Sequence, residues 1–175
     1  MSADLFKEGL AAARRADFVA AARLWQALAD RGDARAQYNL GFLSANGQGV
    51  GKDLGRAVEW YTRAAEQGFA AAQFNLGVLY SNDEGLSPDF AAALKWYRAA
   101  AGQGDADAQF NIGVAYALGQ GVTQDYLLAY RWYDRAAKAG HEKAAKTRDS
   151  IAVELTAAQL AECQGPDFQG PDFQD

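Results

Sequence analysis

One cysteine and one histidine are all that 175 residues offer of the two side chains on which most protein zinc sites depend. Cys163 has no second thiol, so an intrachain disulfide is excluded. It is expected to pack lightly at a helix end, with no electropositive neighbourhood to activate it. His141 cannot build a histidine-rich metal centre alone, and no nucleophile motif accompanies it. It reads as an exposed residue at a helix start. Basic residues are also short: 17 Lys and Arg stand against 22 Asp and Glu, for a net charge of -5 and a pI near 4.9. The longest basic run, Arg14-Arg15, reads as a solvated helix end. A basic face able to displace counterions from nucleic acid is therefore missing. No apolar run approaches membrane-spanning length. The first twenty residues carry Asp4, Lys7, Glu8, Arg14, Arg15 and Asp17, which does not suit a signal peptide. These absences predict a cytoplasmic protein without enzymatic activity: no catalytic residues, no metal, no cofactor, no nucleic-acid partner and no membrane insertion.

What is present is a period. Ala36-Gln37-Tyr38-Asn39-Leu40-Gly41 returns 36 residues later as Ala72-Gln73-Phe74-Asn75-Leu76-Gly77, and again as Ala108-Gln109-Phe110-Asn111-Ile112-Gly113. A repeat of this length means one supersecondary unit copied and stacked. Each copy reads as two antiparallel helices, A and B. In the second repeat, helix A runs over about 33–45 and ends at Asn46-Gly47-Gln48-Gly49-Val50, and Asp53 caps a helix B that ends at Gly68. The third repeat places helix A at about 70–81 and caps helix B with Asp89. The fourth places helix A at about 105–118 and caps helix B with Asp125. Trp60-Tyr61, Trp96-Tyr97 and Trp132-Tyr133 keep the same interval, as do the alanine pairs beginning at Ala64, Ala100 and Ala136. These form one packing face. Gly41, Gly77 and Gly113 fall mid-helix, where glycine costs about 1 kcal/mol relative to alanine. The expected reason is close approach of helix A to Ala57, Ala93 and Ala129. The Gly-x-Gly-Val strings at 47–50 and 119–122 share letters with phosphate-cradling loops but follow no strand, and read as turns.

The ends depart from the rule. Gly9 precedes Gly41 by only 32 residues, so the first repeat has a shorter inter-helix loop, with Asp17 capping its helix B. After the fourth repeat, 141–153 reads as a capping helix with Thr147, Arg148 and Asp149 where the repeats carry Asn, Leu or Ile, and Gly. Thr156 and Gln159 then form a capping box for a last short helix. Gly165-Pro166-Asp167-Phe168-Gln169 is copied at once as Gly170-Pro171-Asp172-Phe173-Gln174, which no helix tolerates.

The segment Ala106 to Gly140 carries Ala108, Gln109, Ile112, Gly113, Tyr116, Gly119, Gly121, Val122, Asp125, Ala129, Trp132, Tyr133, Ala136, Ala137 and Gly140. This order resembles the Sel-one-like repeat family of the tetratricopeptide superfamily. The second repeat departs at Ser44, where Tyr80 and Tyr116 stand, and the third at Asp83 and Leu86. The resemblance implies an all-α, right-handed solenoid of stacked antiparallel helix pairs. Its expected boundaries are a tetratricopeptide-like repeat at 3–32, full repeats at 33–68, 69–104 and 105–140, capping helices at 141–163 and an extended tail at 164–175. It also implies an adaptor or scaffold role, usually without catalysis. The alanine-rich, lysine-poor usage points to a bacterial source.

In related superhelices helix A lines the concave side. That mapping predicts a groove of Phe6, Leu10, Arg35, Tyr38, Phe42, Phe74, Val78, Phe110 and Val114, able to hold another protein or peptide. An equally open reading packs the aromatic after each Gln between neighbouring repeats. Asn39, Asn75 and Asn111 stack in register, either to read a partner's backbone together with the Gln side chains or to bond between repeats. Only Lys7 and Arg35 could serve a carboxylate clamp. Two alternatives stay beside the adaptor reading. Phe168 or Phe173 could dock in the chain's own groove or a neighbour's, giving self-occlusion or a homo-oligomer. The chain could also be a regulatory subunit of an enzyme complex.

Overall fold

The computed structural model describes residues 2–83 and 87–164. The described residues are all-α, with no strand among them, in ten α-helices. They fall into two compact units, Met1–Ser87 and Pro88–Asp175. The N-terminal unit holds α1 (Ser2–Arg14), α2 (Phe18–Ala29), α3 (Ala34–Asn46), α4 (Leu54–Glu66) and α5 (Ala70–Ser81). The C-terminal unit holds α6 (Phe90–Gly102), α7 (Ala106–Leu118), α8 (Tyr126–Lys138), α9 (Ala144–Ile151), a 3-10 turn (Ala152–Glu154) and α10 (Ala157–Gln164). Within each unit every helix from α1 to α5, and from α6 to α9, packs against the next.

Aspartates start most of these helices. Asp17, Asp33, Asp53, Asp89, Asp105 and Asp125 each accept a hydrogen bond from a first-turn N–H. Such a cap stabilises by about 1 kcal/mol. Gly47 and Gly119 close α3 and α7 in the left-handed conformation, at φ 68° and 69°. The Thr156 capping box is present: Gln159 accepts from the Thr156 N–H, and Thr156 Oγ1 accepts from the Gln159 N–H. The capping helix is shorter than the expected 141–153. It begins at Ala144 after a turn and gives way to the 3-10 turn at Ala152.

On α4 the buried face is Ala57, Trp60, Tyr61, Ala64 and Ala65, and on α8 it is Ala129, Trp132, Tyr133 and Ala136. Leu28, Leu40 and Leu43 fill the N-terminal core, and Leu94 and Ile112 the C-terminal one. Each such side chain contributes about 1.5–3 kcal/mol on burial.

The glycine expectation needs correcting. Close approach is real, but the neighbour is the aromatic ring of helix B and not its alanines. A Cβ on Gly41 would lie 2.6 Å from Tyr61 Cδ1, and one on Gly113 2.7 Å from Tyr133 Cδ1. The Gly-x-Gly-Val loops are turns. A Cβ on Gly121, at φ 73°, would lie 2.7 Å from the carbonyl carbon of Phe90, so the loop seats directly on the start of the preceding helix B. Gly49 meets Phe18 in the same way.

The repeated glutamine is an internal strut. Gln37, Gln73 and Gln109 are buried. Their Nε2 atoms donate to the carbonyls of Ala29, Ala65 and Ala101, at 3.1, 3.1 and 3.4 Å. Each carbonyl also accepts from a backbone N–H, of Gly32, Gly68 and Gly104, so the glutamine adds a second bond that ties helix A to the end of the preceding helix B. This corrects the expectation that the glutamines read a partner's backbone.

Candidate functional site

In the N-terminal unit the A helices α1, α3 and α5 carry the predicted row. Phe6 and Leu10 on α1, Tyr38 and Asn39 on α3, and Phe74, Asn75 and Val78 on α5 are all half-buried. Phe42, one turn beyond Tyr38, is 43% exposed. Tyr38 is held from two sides. Its ring centroid lies 5.7 Å from Tyr61 of its own repeat and 5.1 Å from Phe69 at the start of the next. Phe6 packs on Trp25 at 6.3 Å, and the Arg35 guanidinium sits 4.4 Å above the Phe6 ring. Arg35 also pairs with Asp33 at 2.7 Å. Its hydrogen bond to that carboxylate, opposed by partial burial, holds Asp33 below the usual range. Arg35 is therefore engaged within its own repeat and does not stand open as one arm of a carboxylate clamp.

In the C-terminal unit Phe110, Asn111 and Val114 on α7 are also half-buried. Phe110 lies 5.2 Å from Tyr133 and stacks on His141 at 4.1 Å with the planes 10° apart. His141 is thus not the exposed helix-start residue expected: its side chain is only 14% exposed, and Nε2 lies 3.5 Å from Asp107 Oδ1. The aromatic after the glutamine packs between neighbouring repeats at both Tyr38 and Phe110. Phe69 and His141, 72 positions apart and in the same register, close the two stacks. That shared register, with a ring at both positions, is a signal in the sequence that pointed to their roles.

The asparagines behave individually. Asn75 hydrogen-bonds Tyr61, whose hydroxyl is nevertheless pushed up by burial and the neighbouring Tyr38. Asn111 donates to the Asp107 carbonyl of its own helix at 2.9 Å. Among the described residues Asn39 has no side-chain partner. Burial alone pushes the Tyr133 hydroxyl up to about 12. Cys163 is half-buried, and burial raises its thiol despite a guanidinium beside it, that of Arg131. The expectation of no positive neighbour fails there, while the thiol still stays protonated. Phe168 and Phe173 lie outside the described residues. Among the described residues no His, Cys, Asp and Glu cluster suits a metal, and no helix is long and apolar enough to cross a membrane.

A Sel1 repeat family model matches residues 2–33, 34–69, 70–105 and 106–141. The chain belongs to the Sel1 repeat family. A Sel1 repeat protein from Oxalobacter formigenes has 34% sequence identity and a TM-score of 0.75, over 90% of this chain and 61% of that one. The c5321 protein, a protective antigen of uropathogenic Escherichia coli strains with an SLR fold, has 28% identity and a TM-score of 0.53, over 94% of this chain and 44% of that one. This chain thus spans less than two thirds of either neighbour. A comparison with curated proteins found no match. Sel1 repeat proteins generally mediate protein–protein interactions, and the family is typically a non-enzymatic scaffold.

Proposed function

We propose that this Sel1 repeat chain is an adaptor that grips a partner polypeptide through the A-helix row of its N-terminal unit. The observation that carries this reading is the pair Phe42 and Asn39, three residues apart on one face of α3. Phe42 is the most exposed apolar side chain of the row, and Asn39 is its one asparagine without a bond. Tyr38, Phe6 and Arg35 of the same row are committed to internal contacts, which leaves Phe42 as the available anchor. An aromatic anchor with a polar reader beside it is the pattern by which grooves take an extended or helical segment. On the C-terminal unit the equivalent residues Phe110, Asn111 and Val114 offer no such pair, since Phe110 stacks on His141 and Asn111 bonds the Asp107 carbonyl.

A photo-crosslinking side chain at position 42, compared with one at Val153, tests this in the native cell. Val153 is 81% exposed and lies off the row. Specific adducts from position 42 and not from 153 are expected. In binding to the partner so identified, Phe42→Ala weakens affinity by about thirtyfold, the loss of a typical anchor. Identical adducts from both positions would sink the reading.

A further inference from the structure

Repeats two and four differ at one place in a way that opens a site. In repeat four Tyr116 is only 6% exposed, and its hydroxyl accepts a hydrogen bond from Arg98 Nη2 at 3.2 Å. Its ring thereby fills the space between α7 and the preceding helix B, α6. The same position in repeat two is Ser44, and the residue in register with Arg98 on the preceding helix B is Gln26. Ser44 and Gln26 now line a cleft of about 410 Å³. That volume falls in the range of small ligand pockets, roughly 300–1,000 Å³. The walls are apolar, with Leu40, Val50 and Trp60 among them. Ser44 is 4% exposed, and among the described residues its hydroxyl has no hydrogen-bond partner. Solvent reaches that hydroxyl oxygen, so it stands available to an incoming polar group.

Charge narrows the occupant. Arg23 and Arg56 stand exposed at the rim. The acid there, Asp30, already accepts from Gln26 Nε2 at 2.7 Å. The cleft therefore asks for an aromatic ring with a carboxylate next to it. The last eleven residues of this chain contain Asp-Phe twice, as Asp167-Phe168 and Asp172-Phe173, with a third acid at Asp175 and no Lys or Arg. We propose that the cleft between α2, α3 and α4 is a docking site for the C-terminal Gly-Pro-Asp-Phe-Gln motif of a second copy of this chain. A Phe ring takes the place that Tyr116 fills in repeat four, and the preceding Asp pairs with Arg23 or Arg56. The site shares no residue with the A-helix row, so the two surfaces work separately.

The test uses the full chain carrying Phe168→Ala and Phe173→Ala, which removes competing tails, and a fluorescein-labelled peptide GPDFQGPDFQD followed by anisotropy. Saturable binding is expected, weaker to the parent chain at high protein concentration because the tails of other copies compete. Adding Ser44→Tyr refills the cleft as in repeat four and weakens binding by about thirtyfold or more. Adding Arg23→Glu and Arg56→Glu instead, both exposed and safe for folding, weakens it by about tenfold and removes its salt dependence. Phe42→Ala leaves peptide affinity unchanged, which separates this site from the adaptor row. Absence of binding, equal binding of GPDAQGPDAQD, or unchanged affinity in a folded Ser44→Tyr chain each overturns the assignment. Should Ser44→Tyr not fold, unchanged affinity in the arginine variant overturns it as well.

Discussion

Replacing Gly41 by alanine sets two physical effects of opposite sign against each other. Gly41 lies in the middle of α3, where alanine is the better helix former by about 0.8–1.0 kcal/mol. Packing opposes the change. The new Cβ would sit 2.6, 2.8 and 3.0 Å from Cδ1, Cε1 and Cγ of Tyr61. Carbon atoms in contact prefer about 3.5–4.0 Å, so the ring would have to retreat by most of an ångström. Its surroundings prevent that. Tyr61 is buried, the Tyr38 ring lies 5.7 Å away, and its hydroxyl is hydrogen-bonded to Asn75. Overpacking of this kind costs about 1–3 kcal/mol. Contacts as short as 2.6 Å place the packing cost in the upper half of that range, so Gly41→Ala should destabilise by about 1–2 kcal/mol, lowering Tm by about 2–8 °C for a chain of this size. Gly113→Ala should act alike against Tyr133. Gly102→Ala is the control: a Cβ there meets nothing within 4 Å, and it should stabilise slightly. Thermal and urea melts followed by far-UV circular dichroism read all three. A Gly41→Ala chain at least as stable as the parent would refute the packing argument.

Two further outcomes follow from buried polar groups. Gln73→Leu removes the side-chain bond to the Ala65 carbonyl, which keeps its bond from the Gly68 N–H, and should cost about 0.5–1.5 kcal/mol, read as a lower urea midpoint; a change within error would show that the strut carries no stability. The Tyr133 hydroxyl, pushed up to about 12, keeps its proton when folded well above the unfolded value near 10. Its contribution is complete below about pH 10 and is lost as pH rises toward 12, because the unfolded chain then binds fewer protons. Tyr133→Phe should flatten that alkaline decline in urea midpoints between pH 8 and 11.5, and equal slopes in both chains would contradict the burial assigned to this ring.

The helix ends could be read before any coordinates because their determinants are local. An aspartate that caps and a glycine that turns left-handed act within four residues, so Asp53, Asp89, Asp125, Gly47 and Gly119 located their helices unaided. Residues whose roles depend on a neighbouring helix were harder. Gly41 was legible as a close contact, but whether it meets Ala57 or Tyr61 depends on the rotation of α4 about its own axis, which periodicity does not encode. Gln37 and Asn39 sit two positions apart in one motif, yet one turns inward to the Ala29 carbonyl and the other faces outward, because residues i and i+2 diverge by about 200° on a helix. His141 misled because a lone histidine after a glycine resembles a solvated turn. Only its register with Phe69 marks it as a stacking partner.

The same reasoning says where individuality must reside in a repeated chain. Most positions that recur at 36 residues are explained by stacking: Gln73 as a strut, Gly113 as a clearance, Asp125 as a cap. A residue so employed is poorly placed to recognise anything else, since changing it costs stability before it alters affinity. Recognition falls to positions where a repeat breaks register without losing its fold. Ser44 is such a position, because a serine in place of a tyrosine ring in an otherwise intact repeat leaves an open cleft floored by Leu40, Val50 and Trp60 and a hydroxyl without a partner. Phe42 is another, since the equivalent residues are Val78 and Val114 and a larger ring there projects further into solvent. Both lie on α3, nine and eleven residues after its Asp33 cap. Repeat two therefore keeps the family's scaffold residues while offering two distinct surfaces from a single helix.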